Sequence, residues 1–537
     1  MKLVTIDEMK MIEEEANSKG VTYAMMMERA GLGISKVIFR YFEPLFGKCV
    51  TAIVGSGNNG SDALIALSDL IESGCEVRAY LVQARKKDEL LENLLGKGVE
   101  IKLASEDKEK TVLQEWLKTS DILIDGMLGT GFKTPLRAEY SEIMNFIKNF
   151  AGNYKVIAVD CPSGIDCDNG EVSDECVMAD ITVCLQAVKV GLLSFPAYQF
   201  VGILEVVDLE LPIDLESEKL IKREVASAEN VRKLLPKRPL QAHKGTFGTA
   251  LIIAGSINYT GAAHLAGQAA YRVGTGLVKM AIPGPIYAAL AGQFPEATWL
   301  LLPHEMGVIK SDSAKIVQQN LDHVTAILMG PGWGIEDTTK EFLEKMITGK
   351  MQSERNKVGI GFVMMDAEED QSVSSILPPI VIDADGLKLL VKIKNWEKCL
   401  PQNTVLTPHP GEMSILTDLP IQEIQNKRLD TVQKYAKLWG QIVVLKGALT
   451  VVASPDGRLC VIPVANPALA RAGTGDVLAG IITGMIAQGI ESYDAAVAGV
   501  WIHAQAGIDA SEKVGHPAAV MATDVLNAIS HVLARLG

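Results

Sequence analysis

Residues 49–62 read CVTAIVGSGNNGSD. An almost unbroken apolar run enters a glycine-rich turn, the turn closes on a carboxylate, and ALIALSDLIE continues with helical spacing. A parallel strand buried on both faces has this near-continuous apolar character, and a strand feeding a glycine turn and then a helix opens a βα unit. Working outward, strand-like runs recur at 76–82, 122–125, 155–159 and 181–185, with helical stretches between them, and 202–209 closes the series. Alternation of this kind predicts an α/β fold, with one parallel sheet carrying helices on both faces. Upstream, Thr5 or Asp7 can cap a helix that runs through Glu15, and residues 23–39 form a second helical stretch.

The charged, weakly periodic stretch IDLESEKLIKREVASAEN breaks the pattern, and QAHKGTFGTALIIAGS then starts it again. Strand-like runs follow at 250–254, 278–282, 326–329, 380–383, 404–407, 442–445 and 450–453. Two tandem three-layer α/β domains are therefore expected, at 1–215 and 225–537. The stretch MQSERNKVGIGFVMMDAEEDQSVSS is neither periodic nor punctuated by turns and reads as a surface excursion.

The bulk numbers narrow the function. At 537 residues the chain exceeds what one hydrophobic core usually supports. Its 48% hydrophobic and 22% charged residues describe a globular protein. A net charge of −14 argues against a general nucleic-acid binder, which needs clustered Lys and Arg. Cys161, Cys167, Cys176 and Cys184 lack paired CxxC spacing and read as buried or incidental thiols, with zinc disfavoured. The N-terminal MKLVTIDEMKMIEEE carries acid where a signal peptide would be apolar. Residues 477–490 are too short and glycine-interrupted to cross a bilayer, so a cytoplasmic protein without membrane contact is expected.

Ligands of open α/β sheets collect beyond the carboxyl ends of strands. In the first unit GSGNNGSD follows the first predicted strand, DGMLGTGFKTP the third and DCPSGID the fourth. Each is an ordinary tight turn taken alone; three together, each with a polar group at a strand end, point to a site. Asn58, Asn59, Asp125 and Ser163 are hard oxygen donors able to hold an alkali cation, and Gly129 to Gly131 offer amides to an anion. The dinucleotide fingerprint does not fit: two asparagines stand where close packing is needed, and no acid ends the second strand to hold a ribose. In the second unit GTGD, residues 473–476, opens a helix whose first turn carries unpaired amides and the positive dipole end. That geometry suits a transferring phosphoryl group, and Asp476 can take a proton from an attacking hydroxyl. Lys446 to Thr450 form a tight turn between strands, suited to a nucleotide. No Walker GxxxxGK[ST] motif occurs. His409, flanked by prolines in LTPHPGE, is either structural or a ligand contact. Asp383 and Asp385 in VIDADGL either bind metal or cap the following helix.

With these motifs on the page, the chain resembles the bifunctional NAD(P)H-hydrate repair enzymes almost end to end. GSGNNGSD, DGMLGTGFKTP, AVDCPSGIDCDNG and ADITVCLQAVKVGLL resemble the epimerase half. HKGTFGTALIIAGS, YTGAAHLA, GPGWG, VIDADGL, LTPHPGE, KGALT and NPALARAGTGDVLAG resemble the ADP- or ATP-dependent dehydratase half. The resemblance implies a Rossmann-like epimerase fold followed by a ribokinase-like fold. It also implies a substrate, NADH or NADPH hydrated on the nicotinamide ring. The first domain would interconvert the R and S epimers, and the second would phosphorylate the S hydroxyl so that phosphate leaves. Carried over by position, Asn58, Asn59, Gly60, Ser61, Asp62, Gly129, Thr130, Gly131, Phe132, Lys133, Thr134 and Pro135 line the epimerase site, with Asp160 on the hydrate. Asn59, Asp125 and Ser163 bind K⁺. In the dehydratase, Ala262, Gly332, His409 and Asp476 contact the hydrate, and Lys446, Gly447, Ala448, Leu449, Thr450 and Gly475 contact ADP or ATP, with Mg²⁺ expected beside the nucleotide. Asp160 and Asp476 are the expected catalytic groups. Ala63, Leu449 and Arg471-Ala472 stand where the family has smaller residues. A homo-oligomer is expected. The competing reading is a ribokinase-like kinase of a small hydroxylated heterocycle behind a non-catalytic ligand-binding module.

Overall fold

A computed structural model of the chain describes residues 1–85, 88–349 and 377–537; the excursion expected at 351–375 lies outside them. The chain separates into two compact units, Met1–Val225 and Ala226–Gly537. The first unit runs past residue 215 because its last strand returns to its beginning. The Val225 amide donates to the Met1 carbonyl at 2.8 Å, and Arg223 pairs with Glu8.

In the first unit a seven-stranded sheet runs Glu100–Leu103, Glu76–Leu81, Cys49–Val54, Ile122–Gly126, Lys155–Val159, Ile181–Leu185, Ile203–Val207 from edge to edge. Every adjacent pair is parallel. Counted along the chain, strand order reverses between Cys49–Val54 and Ile122–Gly126, the switch point at which doubly wound sheets open a crevice. The edge strand Glu100–Leu103, EIKL, was not expected, since it is half-exposed and carries charges in alternation. DGMLGTGFKTP therefore follows the fourth strand and DCPSGID the fifth, one later than the sequence suggested. Side chains alternate between two cores as the pleat requires: Val50, Ala52 and Val54 face one cluster, while Ile53 faces the other with Leu123 and Ala158.

The N-terminal helices sit on the first of these cores. Thr5 and Glu8 make a reciprocal capping box at the start of Ile6–Ser18. The helix Tyr23–Phe42 carries glycines at 31 and 33 although glycine costs a helix about 1 kcal/mol relative to alanine. Packing reverses that preference, because a Cβ at Gly33 would lie 2.1 Å from Val207 Cγ1. Gly33→Ala is therefore expected to destabilise the unit by about 1–3 kcal/mol, read as a lower urea midpoint.

In the second unit the strands lie in the order Leu459–Val461, Val451–Ala453, Ile442–Leu445, Val405–Leu406, Ile380–Ile382, Ala326–Met329, Thr249–Ile253, Leu277–Pro283, Thr298–Leu302. Pairing is parallel from Ile442–Leu445 to Thr298–Leu302 and antiparallel at the other end. Leu459–Val461 and Thr298–Leu302 were not expected from sequence; the first is short and the second, TWLLL, is half-exposed at an edge. Strand order again reverses at one place, between Thr249–Ile253 and Ala326–Met329. The helix Thr474–Ala487 is buried along nearly its whole length. It crosses Thr260–Arg272 so closely that a Cβ at Gly480 would meet the Ala266 carbonyl oxygen at 2.2 Å. That crossing fixes where the helix begins.

Candidate functional site

The switch point of the first unit opens into a cavity of about 970 Å³, near the top of the range for small-ligand pockets. Asn58, Asn59, Asp62, Gly129, Thr130, Gly131, Phe132, Lys133, Pro135 and Asp160 line it. Gly60, Ser61 and Thr134 do not. Gly60 and Ser61 face the supporting loop, where Arg85 donates to the Ser61 hydroxyl at 2.5 Å and to the Gly55 carbonyl at 2.6 Å. Asp125 and Ser163 lie just behind the cavity wall. Ser163 donates its amide at 2.8 Å and its hydroxyl at 2.6 Å to the Asp125 carboxylate. The Leu128 amide donates to Ser163 Oγ at 3.0 Å. Asn59 Nδ2 donates to the carbonyls of Val159 and Leu128 at 2.6 and 3.3 Å.

This cluster fits a monovalent cation. Burial pushes the Asp125 carboxyl up, and among the described residues no Lys or Arg pairs with it. Its neighbours are oxygens: the Leu128 and Val159 carbonyls, Ser163 Oγ and, after rotation of the amide, Asn59 Oδ1. Such a set suits a hard cation that would balance the buried charge.

Asp160 has a φ of +63°, a left-handed conformation uncommon for non-glycine residues but one that aspartate tolerates. The Leu185 amide donates to its carboxylate at 2.9 Å, and Lys189 forms an ion pair with it. Lys189 is 1% exposed. Burial opposes its charge, but the Asp160 carboxylate outweighs that and holds the ammonium above its ordinary range. Lys189 and Glu13 also line the cavity, and neither was singled out from sequence. The signal for Lys189 was present, a lone lysine inside the apolar run AVKVGLL. Glu13 gave none, because a glutamate in the helix EEEANS looks like any solvated one. Burial lifts the Asp62 carboxyl well above the carboxylate range, and the charges of Asp160 and Glu13 push it the same way.

In the second unit Gly473 is the N-cap of Thr474–Ala487, with φ +89° and no side-chain cap. Within the described residues the Gly475 and Asp476 amides have no carbonyl acceptor, so two donors point out of the helix start. A Cβ at Gly475 would sit 3.6 Å from Lys446 Nζ. The Lys446 ammonium is buried against Asp383 Oδ1 at 2.6 Å and Glu412 Oε2 at 3.7 Å. Thr407 Oγ1 donates to the same Asp383 oxygen at 2.7 Å. Burial raises the Asp476 carboxyl to about 7, with the Asp383 charge adding to the effect and Lys446 opposing it. Asp385 accepts from the Gly334 amide at 3.0 Å and Lys388 Nζ at 2.9 Å. Neither Asp383 nor Asp385 caps the helix Asp385–Leu390. Both tie strand-end loops together.

Ala262 and Gly332 are neighbours, since a Cβ at Gly332 would lie 2.8 Å from Ala262 Cβ. His409 caps Pro410–Thr417, its Nδ1 accepting from the Gly411 and Glu412 amides at 3.0 and 3.2 Å. Its proton therefore resides on Nε2, on a ring more than half exposed. The turn 446–450 holds Gly447 at φ +134° and Leu449 at φ +54°. The Leu449 amide donates to the Val464 carbonyl at 2.9 Å. The left-handed backbone at 449 explains why a glycine would be frequent there; Leu449 tolerates it while 3% exposed. A further cavity of about 520 Å³ lies at the opposite end of this unit's sheet, around Gly248 and Gln488, and holds none of these residues.

The family model described as NAD(P)H-hydrate dehydratase matches residues 250–531. The chain belongs to this family. A second model, the YjeF-related protein N-terminus, matches residues 23–191. The bifunctional NAD(P)H-hydrate repair enzyme of Moorella thermoacetica is 32% identical over 100% of this chain and 97% of its own. That of Escherichia coli is 29% identical over 95% and 90%. A solved structure of the ADP/ATP-dependent NAD(P)H-hydrate dehydratase from Bacillus subtilis, co-crystallized with ATP/Mg2+, is 28% identical with a TM-score of 0.47, covering 58% of this chain and 99% of that one. Both halves of the NAD(P)H-hydrate repair pattern are thus present on one chain. Among the described residues no helix is long and apolar enough to cross a membrane.

Proposed function

We propose that this protein repairs hydrated NADH and NADPH, epimerising the hydrate in unit Met1–Val225 and dehydrating the S epimer with ADP or ATP in unit Ala226–Gly537. The reading is carried by one arrangement: a helix start with two free amides, beside a buried Lys446–Asp383 pair and a carboxyl that ionises near neutrality. Hydroxide is a poor leaving group and phosphate a good one. A site that moves a phosphoryl group to the substrate hydroxyl therefore makes the elimination possible.

Asp476, once ionised, takes the hydroxyl proton as the oxygen attacks the terminal phosphorus. The Gly475 and Asp476 amides stabilise charge on the transferring group. Lys446 balances the phosphates, and the turn 446–450 approaches the nucleotide through Gly447. Ala262, Gly332 and His409 form the hydrate side. Among the described residues no cluster of three or more His, Cys, Asp or Glu is built as a metal cage. Mg²⁺ beside the nucleotide would be held by a carboxylate such as Asp383 and would supply charge neutralisation. In the first unit Asn58, Asp62, the loop 129–135 and Asp160 receive the hydrate. Asn59, Asp125 and Ser163 would hold K⁺, whose charge would balance the buried Asp125 carboxylate. The competing kinase reading predicts a stable phosphorylated product.

Mixing the chain with chemically hydrated NADH and ADP or ATP tests the proposal. Dihydronicotinamide absorbance should recover fully from both epimers; accumulation of a phosphorylated hydrate with no recovery sinks it. The base must be ionised to act, so the dehydratase kcat/KM should rise with pH through about 7 and fall roughly tenfold per unit below it. A profile flat between pH 5.5 and 8.5 removes Asp476 as base. This reading puts the enzyme in the cytoplasm, where the cofactor pool is, as a homo-oligomer.

A further inference from the structure

The first cavity holds an arrangement of acids and one lysine whose division of labour the reading above leaves open. Asp62 is 3% exposed, and among the described residues its carboxyl has no hydrogen-bond or ion-pair partner, yet it lines the cavity. Asp160 lines the same cavity and is held by a buried ammonium, Lys189, and the Leu185 amide. One carboxyl is unpartnered, the other is paired with a buried ammonium, and both face the same space. Glu13 of the helix Ile6–Ser18 reaches that space as well.

Resting on the assignment of epimerisation to this unit, we propose that Asp160 is the base and Asp62 the acid of epimerisation by ring opening, with Lys189 holding Asp160 in position. Hydration of an enamine places the hydroxyl on the carbon next to the ring nitrogen, which makes the substrate a hemiaminal. The Asp160 carboxylate takes the hydroxyl proton and the C–O bond becomes C=O. The electron pair of the C–N bond goes to nitrogen, and the Asp62 carboxyl protonates it. The aldehyde rotates about its single bond. The nitrogen then attacks the other face of the carbonyl, Asp62 recovers its proton from nitrogen, and Asp160 returns the first proton to oxygen. No C–O bond breaks, so no nucleotide is required, in contrast to the second site. Burial and the neighbouring acids favour the protonated form of Asp62, the state in which it starts.

The test uses the full chain, hydrated NADH and no nucleotide, with the R and S epimers separated by chromatography. Asp62→Asn is isosteric with the neutral carboxyl, so a purely structural Asp62 tolerates it. The expected result is a loss of interconversion of about 10²–10⁴-fold in Asp62→Asn and in Asp160→Asn, with a circular dichroism spectrum matching wild type as the control for folding. Lys189→Met should lower kcat more than it raises KM. In H₂¹⁸O the wild-type product should retain its hydroxyl oxygen at early turnover. Near-normal interconversion in Asp62→Asn, or one solvent oxygen incorporated per turnover, overturns the proposal. A wild-type chain that fails to interconvert the epimers instead overturns the assignment of epimerisation to this unit.

Discussion

Asp476→Asn should lower dehydration of the S epimer by about 10²–10⁴-fold while interconversion of the epimers continues at the wild-type rate. The amide keeps the size of the side chain and the helix start around it, so the free amides of residues 475 and 476 stay in place. What it loses is the lone pair that accepts the hydroxyl proton. The same change carries a stability signature of the opposite sign. A carboxyl raised from 3.8 to about 7 binds a proton more tightly in the folded state than in the unfolded one. Between those values the folded state holds more protons, so stability falls as pH rises through the window, and above about 7 the whole cost of ionising the buried group is present. Asp476→Asn removes that cost. At pH 8 the variant should unfold at higher urea than wild type, and the two curves should converge as pH is lowered toward 4. A variant less stable than wild type at pH 8 would show that the Asp476 carboxylate is paired in the folded protein.

Lys446→Met should be the most damaging single change to the second unit. Its ammonium is the cation shared by Asp383, which is 1% exposed, and Glu412, at 3%. Removing one partner of a buried pair strands the remaining charge, at a cost of about 3–5 kcal/mol. The loss should appear as a lower urea midpoint for the unit, together with weakened nucleotide binding. Adding Asp383→Asn neutralises the stranded carboxylate while keeping its shape and its contact with Thr407. The double variant should recover much of the stability and none of the nucleotide affinity. If affinity returned with stability, Lys446 would be a structural residue and the phosphate contact would lie elsewhere in the turn.

The two epimerase carboxyls illustrate how far a linear reading reaches. Asp62 and Asp160 were legible because one follows a glycine-rich turn, in the first turns of the helix Asn58–Glu72, and the other opens a proline-containing turn, each after an apolar strand, a local pattern set by neighbouring residues. That one is paired and the other unpartnered was not legible. It depends on Lys189 lying against one and not the other, and on Glu13 arriving from a helix near the start of the chain. In the second unit GTGD was recognisable as a helix start, since helix capping is local. Its meeting with Lys446 and Asp383 was not, because that follows from the crossing of Thr474–Ala487 over Thr260–Arg272 at Gly480. Similar reasoning covers the fold. Strands buried on both faces, such as Cys49–Val54 and Ala326–Met329, were found from composition alone. The edge strands Glu100–Leu103 and Thr298–Leu302 were missed, since an edge strand has an exposed side and loses the continuous apolar signature, and Leu459–Val461, though buried, is only three residues long. Asp383 and Asp385 were left between metal binding and capping. Asp383 holds Lys446 and Thr407 from distant segments, while Asp385 accepts from the Gly334 amide and from Lys388 on its own helix, and neither caps that helix.

By itself the sequence determined the alternation of strands and helices, the α/β class and the turns at which chemistry gathers, because period, glycine turns and caps depend on residues within a few positions of each other. Only the tertiary structure decided strand order, which carboxyl is paired and which is alone, and which amides are left free at a strand end. Those outcomes depend on desolvation and on charges brought together from separate parts of the chain, and no local pattern encodes a neighbour 29 residues away, as Lys189 is from Asp160, or 63, as Lys446 is from Asp383.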